Sequence, residues 1–200
     1  MTVTVKPDPF HLVAYDAAVI RAIVEDAAAQ VGFPATVDIA LRVDETLPHP
    51  ILGTNVDIVD GVAELYVSGG NFEARNKSRD FSPDHARAEI AHLLLRASDR
   101  LSGGFEDAST EADLTLGERN AWDTYTWGRV ARLGHNVHHQ KRIYDFRMQH
   151  GFTDAADAAF ERLWAAESMT WQGIKEICAE TGANLRATPK TPIDLLRQGV

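Results

Sequence analysis

Three features of the sequence predict an α+β fold with a small antiparallel sheet. Residues 36–43, TVDIALRV, set Val37, Ile39, Leu41 and Val43 against Asp38, Ala40 and Arg42, the period-2 pattern of a half-buried strand. Residues 56–67 hold Asp60-Gly61 between two apolar-rich runs, 56–59 and 62–67, which is the strongest hairpin signal in the chain. Helical periodicity dominates from residue 82 onward, and strands joined by hairpins with helices gathered after them indicate α+β rather than a doubly wound parallel sheet.

The elements follow in order. Residues 1–10 are short and proline-rich and read as an extended lead-in. Asp16 can cap a helix running to about Val31, with Val19, Ile20, Ile23, Val24 and Ala27 inward and Gly32 as its stop. The strand at 36–43 follows, then a loop at 44–54 marked by Pro48, Pro50 and Gly53. After the hairpin, Gly69-Gly70 and a polar loop, NFEARNKSRDF, lead to a helix over 82–101. An acidic linker then precedes a long helical stretch from Glu118 to about 150, which Gly128 and Gly134 weaken. Thr153 starts another helix, and a last one runs from Thr170 to Thr181 with Gly182 as its stop. Two parts are expected: an α+β domain over 1–150, and a helical appendage and tail over 151–200.

Composition narrows the function. The 44% of hydrophobic residues suffice for a sizeable core, and the net charge of −9 argues against nucleic-acid binding by the surface as a whole. A single cysteine, Cys178, excludes an internal disulfide and a multi-thiolate zinc site, and its apolar neighbours mark it as a core residue. No apolar run reaches the length of a membrane span, and residues 1–16 lack the pattern of a signal peptide. A cytoplasmic protein with no membrane association is the expectation.

The helix over 82–101, SPDHARAEIAHLLLRASDRL, carries the most suggestive polar residues. Ser82 suits the cap, Pro83 the first helical position, and Asp84 the positive end of the dipole. At about 100° per residue, Ala86, Ile90, Leu93, Leu94, Ala97 and Leu101 share one apolar face. His85, Glu89, His92, Arg96 and Asp99 form a narrow stripe, flanked on its far side by Ala88, Ala91 and Leu95. A surface helix would be polar across that whole half, so a buried helix with one open polar seam is expected. The plain alternative is a charge ladder, with His92–Arg96 at i,i+4 and Arg96–Asp99 at i,i+3.

Glu89-Ile90-Ala91-His92, followed by Leu93-Leu94, resembles the second part of the HExxH motif of zincin metallopeptidases. In that motif two histidines four apart bind zinc, and the glutamate beside the first is the general base. The element order over residues 16–135 also resembles a minimal gluzincin. The resemblance implies a zinc cofactor, a peptidase activity with Glu89 as catalytic base, and a protein or peptide partner. It makes His92 a metal ligand and places a third, carboxylate ligand at Glu118, in GERNAW. The first histidine of the motif falls at position 88, where this chain has Ala88. His85, on the same stripe, is the candidate metal ligand to compensate, but it stands seven residues from His92, about 10 Å along the helix axis. These residues fit a zincin-like scaffold that has lost catalysis better than an active peptidase.

A second candidate lies further on. His135, His138 and His139 have helical spacing, with His135 and His139 on one face, a spacing that can bind metal. Arg129, Arg132, Lys141, Arg142 and Arg147 surround them and make 129–147 a basic stripe for a phosphate-bearing ligand or an acidic partner of a non-enzymatic binding or regulatory protein. Residues 170–191 resemble the first half of a helix-turn-helix, but Pro189 and Pro192 interrupt the helix that would read DNA, so nucleic-acid binding is not expected.

Overall fold

The computed structural model describes residues 1–51, 53–74 and 77–189. It is α+β, with six strands and six α-helices among the described residues. The chain clusters into two compact units that divide between Ser98 and Asp99, whereas the sequence suggested a division near 150.

The first unit is built on a four-stranded sheet, β1 (Val3–Lys6), β2 (Asp38–Asp44), β3 (Thr54–Val59) and β4 (Val62–Ser68), in the order β1-β2-β4-β3. The hairpin forms where expected: β3 and β4 pair antiparallel, and Asp60 and Gly61 turn with φ of 51° and 78°, the left-handed pair that this turn needs. The sheet is nevertheless mixed, because β2 runs parallel to both β1 and β4. β1 is the element missing from the sequence reading. Its VTVK repeats β-branched residues at period two, Val3 and Val5 are buried, and Pro7 and Pro9 follow the strand rather than prevent it.

Helix α1 (Ala17–Val31) connects β1 to β2. The Asp16 carboxylate caps it by accepting from the Ala18 and Val19 amides, and Gly32 ends it at φ 68°. A 3₁₀ turn at Gly69–Phe72 and a small antiparallel pair, β5 (Glu73–Ala74) and β6 (Lys77–Phe81), occupy the stretch read as a polar loop. Helix α2 (Pro83–Leu101) follows. Its Ala86, Ile90, Leu93, Leu94 and Ala97 join α1 and the inner face of the sheet in one core, while Leu101 is 37% exposed.

The second unit holds α3 (Leu116–Arg132), α4 (His139–His150), α5 (Asp154–Ala165) and α6 (Trp171–Thr181) around a core that includes Phe105, Trp122, Phe146, Phe160 and Trp171. The stretch expected as one helix over 118–150 is two. The first ends at Arg132 with Leu133 as its cap, and Gly134 at φ 90° turns the chain away. Thr153 and Thr170 cap α5 and α6 through their hydroxyls, and Gly182 closes α6 at φ 63°.

His150 ends α4 inside this core, 2% exposed and stacked on Phe146 at 3.9 Å. Its Nε2–H donates to the Gly117 carbonyl at 3.1 Å, and Nδ1 lies 2.7 Å from the Thr181 hydroxyl. Burial pushes its pKa down to about 4, with the Gly117 hydrogen bond opposing. The unfolded chain therefore takes up a proton near pH 6.5 that the folded chain refuses until about pH 4, so stability rises with pH across that window. Acidifying from pH 7 to 4 should remove about 3 kcal/mol through this residue. All four tryptophans lie in the second unit, so denaturant unfolding followed by tryptophan fluorescence reads it directly. His150→Gln should flatten the wild-type slope between pH 4 and 6.5, and equal slopes in the two proteins would rule the effect out.

Candidate functional site

Helix α2 starts as its sequence dictates: Pro83 is its first residue, and the Ser82 hydroxyl accepts from the His85 amide at 3.3 Å. Every residue from Ala88 to Ala97 is buried except Glu89, whose side chain is only 12% exposed. The helix is buried as expected, but the polar seam is closed: His92 is 2% exposed, as is Arg96. Helical periodicity identifies which residues share a stripe, yet it says nothing of how closely the neighbouring elements pack over it.

Within the seam, His92 Nδ1 lies 3.8 Å from Glu89 Oε1, an ion-pair distance too long for a hydrogen bond. His85 turns elsewhere. Its Nδ1–H donates to the Glu73 backbone carbonyl at 2.6 Å, which fixes the tautomer and ties the first turn of α2 to β5. Asp99 belongs to the second unit, where its carboxylate accepts from Trp122 Nε1 at 2.8 Å and from Arg129 at 2.6 Å.

Glu118 has a local role. Thr115 caps α3 by accepting from the Glu118 amide, and Glu118 Oε2 accepts from the Thr115 amide at 2.9 Å and its hydroxyl at 2.8 Å. This is a capping box, and the T-x-x-E spacing at Thr115 and Glu118 was a sequence signal for it. Glu118 lies in the second unit; Glu89, His92 and His85 lie in the first. Among the described residues, no three His, Cys, Asp or Glu side chains gather into a set that could hold a metal ion. A catalytic zinc centre needs three protein ligands and one open position. The seam offers one carboxylate and one imidazole, closed over, with buried Ala88 in place of the first ligand. These donors do not fit a catalytic zinc.

The His-rich stripe is rearranged by the break after α3. His135 and His138 fall in the connection and His139 opens α4, so His135 and His139 share no helical face. The His139 ring packs edge-on against Phe160 and Trp164, with centroids at 5.2 and 4.8 Å. The guanidinium groups of the stripe are engaged within the second unit. Arg129 pairs with Asp99, and Arg132 donates to the Trp164 and Ala166 carbonyls. Arg142 lies over the Trp127 ring at 3.8 Å, and Arg147 forms a two-pronged pair with Asp157. The basic pattern of 129–147 is thus largely an internal tether set.

Cys178 is a buried residue of α6, and burial with the nearby Glu118 charge pushes its thiol up to about 12. Past Gly182 the chain runs without helix to Pro189 and touches the start of α3 through a Thr115–Ala187 bridge. A reading helix is therefore lacking over 183–189, and Pro192 lies outside the described residues. Sequence reasoning missed Glu73, a carboxylate only 4% exposed in β5, whose Oε2 accepts from the His49 amide at 3.4 Å. Nothing in the local sequence sets this glutamate apart from a loop residue. No helix among the described residues is long and apolar enough to cross a membrane. No protein-family model matches the chain, and neither a curated protein nor a solved structure matches it significantly.

Proposed function

We propose that this chain is a zincin-like relative that works without metallopeptidase chemistry, as a binding protein on a peptidase-type scaffold. One observation carries the reading: the stripe of α2 that resembles ExxH is sealed, with His92 at 2% exposure and Ala88 at 8% where an imidazole would be needed. A hydrolytic centre must admit water and substrate to the metal-bound oxygen. A helix, a hairpin-edged sheet and a second helix in that order support the scaffold half of the proposal. A protein or peptide is the partner class that the resemblance implies.

The expected result is that the purified protein, titrated calorimetrically with zinc, shows no tight site and cleaves no generic peptide with or without added metal. Glu89→Gln and His92→Ala should leave this behaviour unchanged. A zinc-dependent peptidase activity in the wild type that both substitutions abolish would overturn the proposal.

A further inference from the structure

The parallel strands bring a second, unrelated set of residues together. β1 and β2 end side by side, and their register sets Lys6 directly beside Arg42. Both side chains leave the sheet on the face opposite the core, since Val5, Leu41 and Val43 point inward between them. A cavity of about 780 Å³ opens at these carboxyl ends and is lined by Lys6, Arg42 and, from α1, Arg21. That volume lies within the range of small-molecule sites, and the carboxyl end of parallel strands is where such sites recur in open sheets.

The state of the lining charges decides what the cavity can take. Three carboxylates share it, and each is occupied. Asp8 pairs with Arg21 at 3.6 Å. Asp44 accepts from the Thr46 amide, the Thr46 hydroxyl and the Tyr66 hydroxyl, and these bonds with the Arg42 charge hold its carboxyl below the usual range against the opposing effect of burial. Glu45 accepts from the His11 and Leu12 amides. The amino end of α1 is already capped by Asp16, so its dipole is not open to a ligand. The side chains of Lys6 and Arg42 make no hydrogen bond or ion pair among the described residues, although Arg42 feels the Asp44 charge. Two cations in register, whose side chains bond to none of the described residues, line this cavity in a chain of net charge −9.

We propose that this cavity binds a small-molecule anion whose phosphate or carboxylate group sits between Lys6 and Arg42. A guanidinium offers an oxyanion two parallel donors, and the neighbouring ammonium adds a point charge.

Calorimetric titration of the full chain with inorganic phosphate and, separately, with citrate at low ionic strength tests this. Saturable binding of phosphate or of citrate supports the site, and the tighter of the two names the headgroup. Arg42→Gln and Lys6→Gln should each weaken binding about ten-fold or more, as expected for losing a charge-assisted contact. Both residues are exposed, and circular dichroism of the variants checks that the fold is kept. Arg42→Lys should restore only part of the loss. Lys141→Gln, at an exposed cation of the second unit, should bind as the wild type does. No saturable binding of either anion by the folded wild type overturns the proposal, as does an equal loss in Lys141→Gln and Arg42→Gln.

Discussion

Replacing Gly128 by alanine should destabilise the second unit by about 3 kcal/mol, at the upper end of the overpacking range. Helix propensity alone predicts the opposite sign, since alanine is favoured over glycine by about 1 kcal/mol inside a helix. The packing of α3 on α5 decides. A Cβ at Gly128 would lie 2.2 Å from the Trp164 carbonyl oxygen and 2.9 Å from the carbon atoms beside it. That obstacle is backbone, which cannot rotate aside, and Trp164 is held by Arg132 donating to the same carbonyl. Gly173 is the control. A Cβ there meets the Met169 sulfur at 2.8 Å, the far end of a flexible side chain, so Gly173→Ala should be near neutral. Denaturant midpoints read by tryptophan fluorescence compare the two. A Gly128→Ala protein as stable as the wild type would mean that the two helices do not approach this closely.

The Gly128 case shows where the sequence is legible and where it stops. Glycine within a helical pattern reads as a weakness, and only the partner backbone turns it into a requirement. Features set by neighbouring residues are legible for that reason. Asp16 and Gly32 bound α1, Asp60-Gly61 turns the hairpin, and Ser82-Pro83 opens α2, each through hydrogen bonds or φ values confined to a few positions. Strand direction is not local. Nothing in TVDIALRV says that its neighbours run parallel to it, and β1 is four residues long beside two prolines. The α2 stripe divides the same way. Its membership follows from helical period, whereas the burial of its residues, the turn of His85 to β5 and the engagement of Asp99 depend on residues outside the helix. Glu118 was legible as a cap from Thr115 three residues before it, and the acidic linker concealed where the helix began.

Asp99 is where the largest loss is expected. On the α2 stripe it looks like one more exposed charge, an i,i+3 neighbour of Arg96. In the structure it is 7% exposed, and its two oxygens have separate tasks: Oδ2 accepts from Trp122 Nε1, and Oδ1 accepts from Arg129. Trp122 is fully buried, stacked on Phe105 at 4.8 Å, with Arg100 over its ring at 5.0 Å. Arg129 lies over Tyr125 at 4.8 Å. Asp99→Ala takes the acceptor from both of these donors. The indole N–H loses its acceptor in a site that water does not reach, and the Arg129 guanidinium, 17% exposed, loses its counter-charge. Breaking one side of such a buried pair costs about 3–5 kcal/mol, because the remaining charge is left uncompensated. Asp99→Asn separates the two contributions. Its amide oxygen can still accept from one donor, so it should lose less than Asp99→Ala. Arg129→Met, which removes the stranded charge from the other side, should lose less when combined with Asp99→Asn than the two single losses added together. Chemical denaturation of the four proteins, followed by tryptophan fluorescence, measures the cycle. Additive losses would show that Asp99 and Arg129 do not act as a pair, and a stable Asp99→Ala protein would show that the carboxylate is not what holds Trp122 in place.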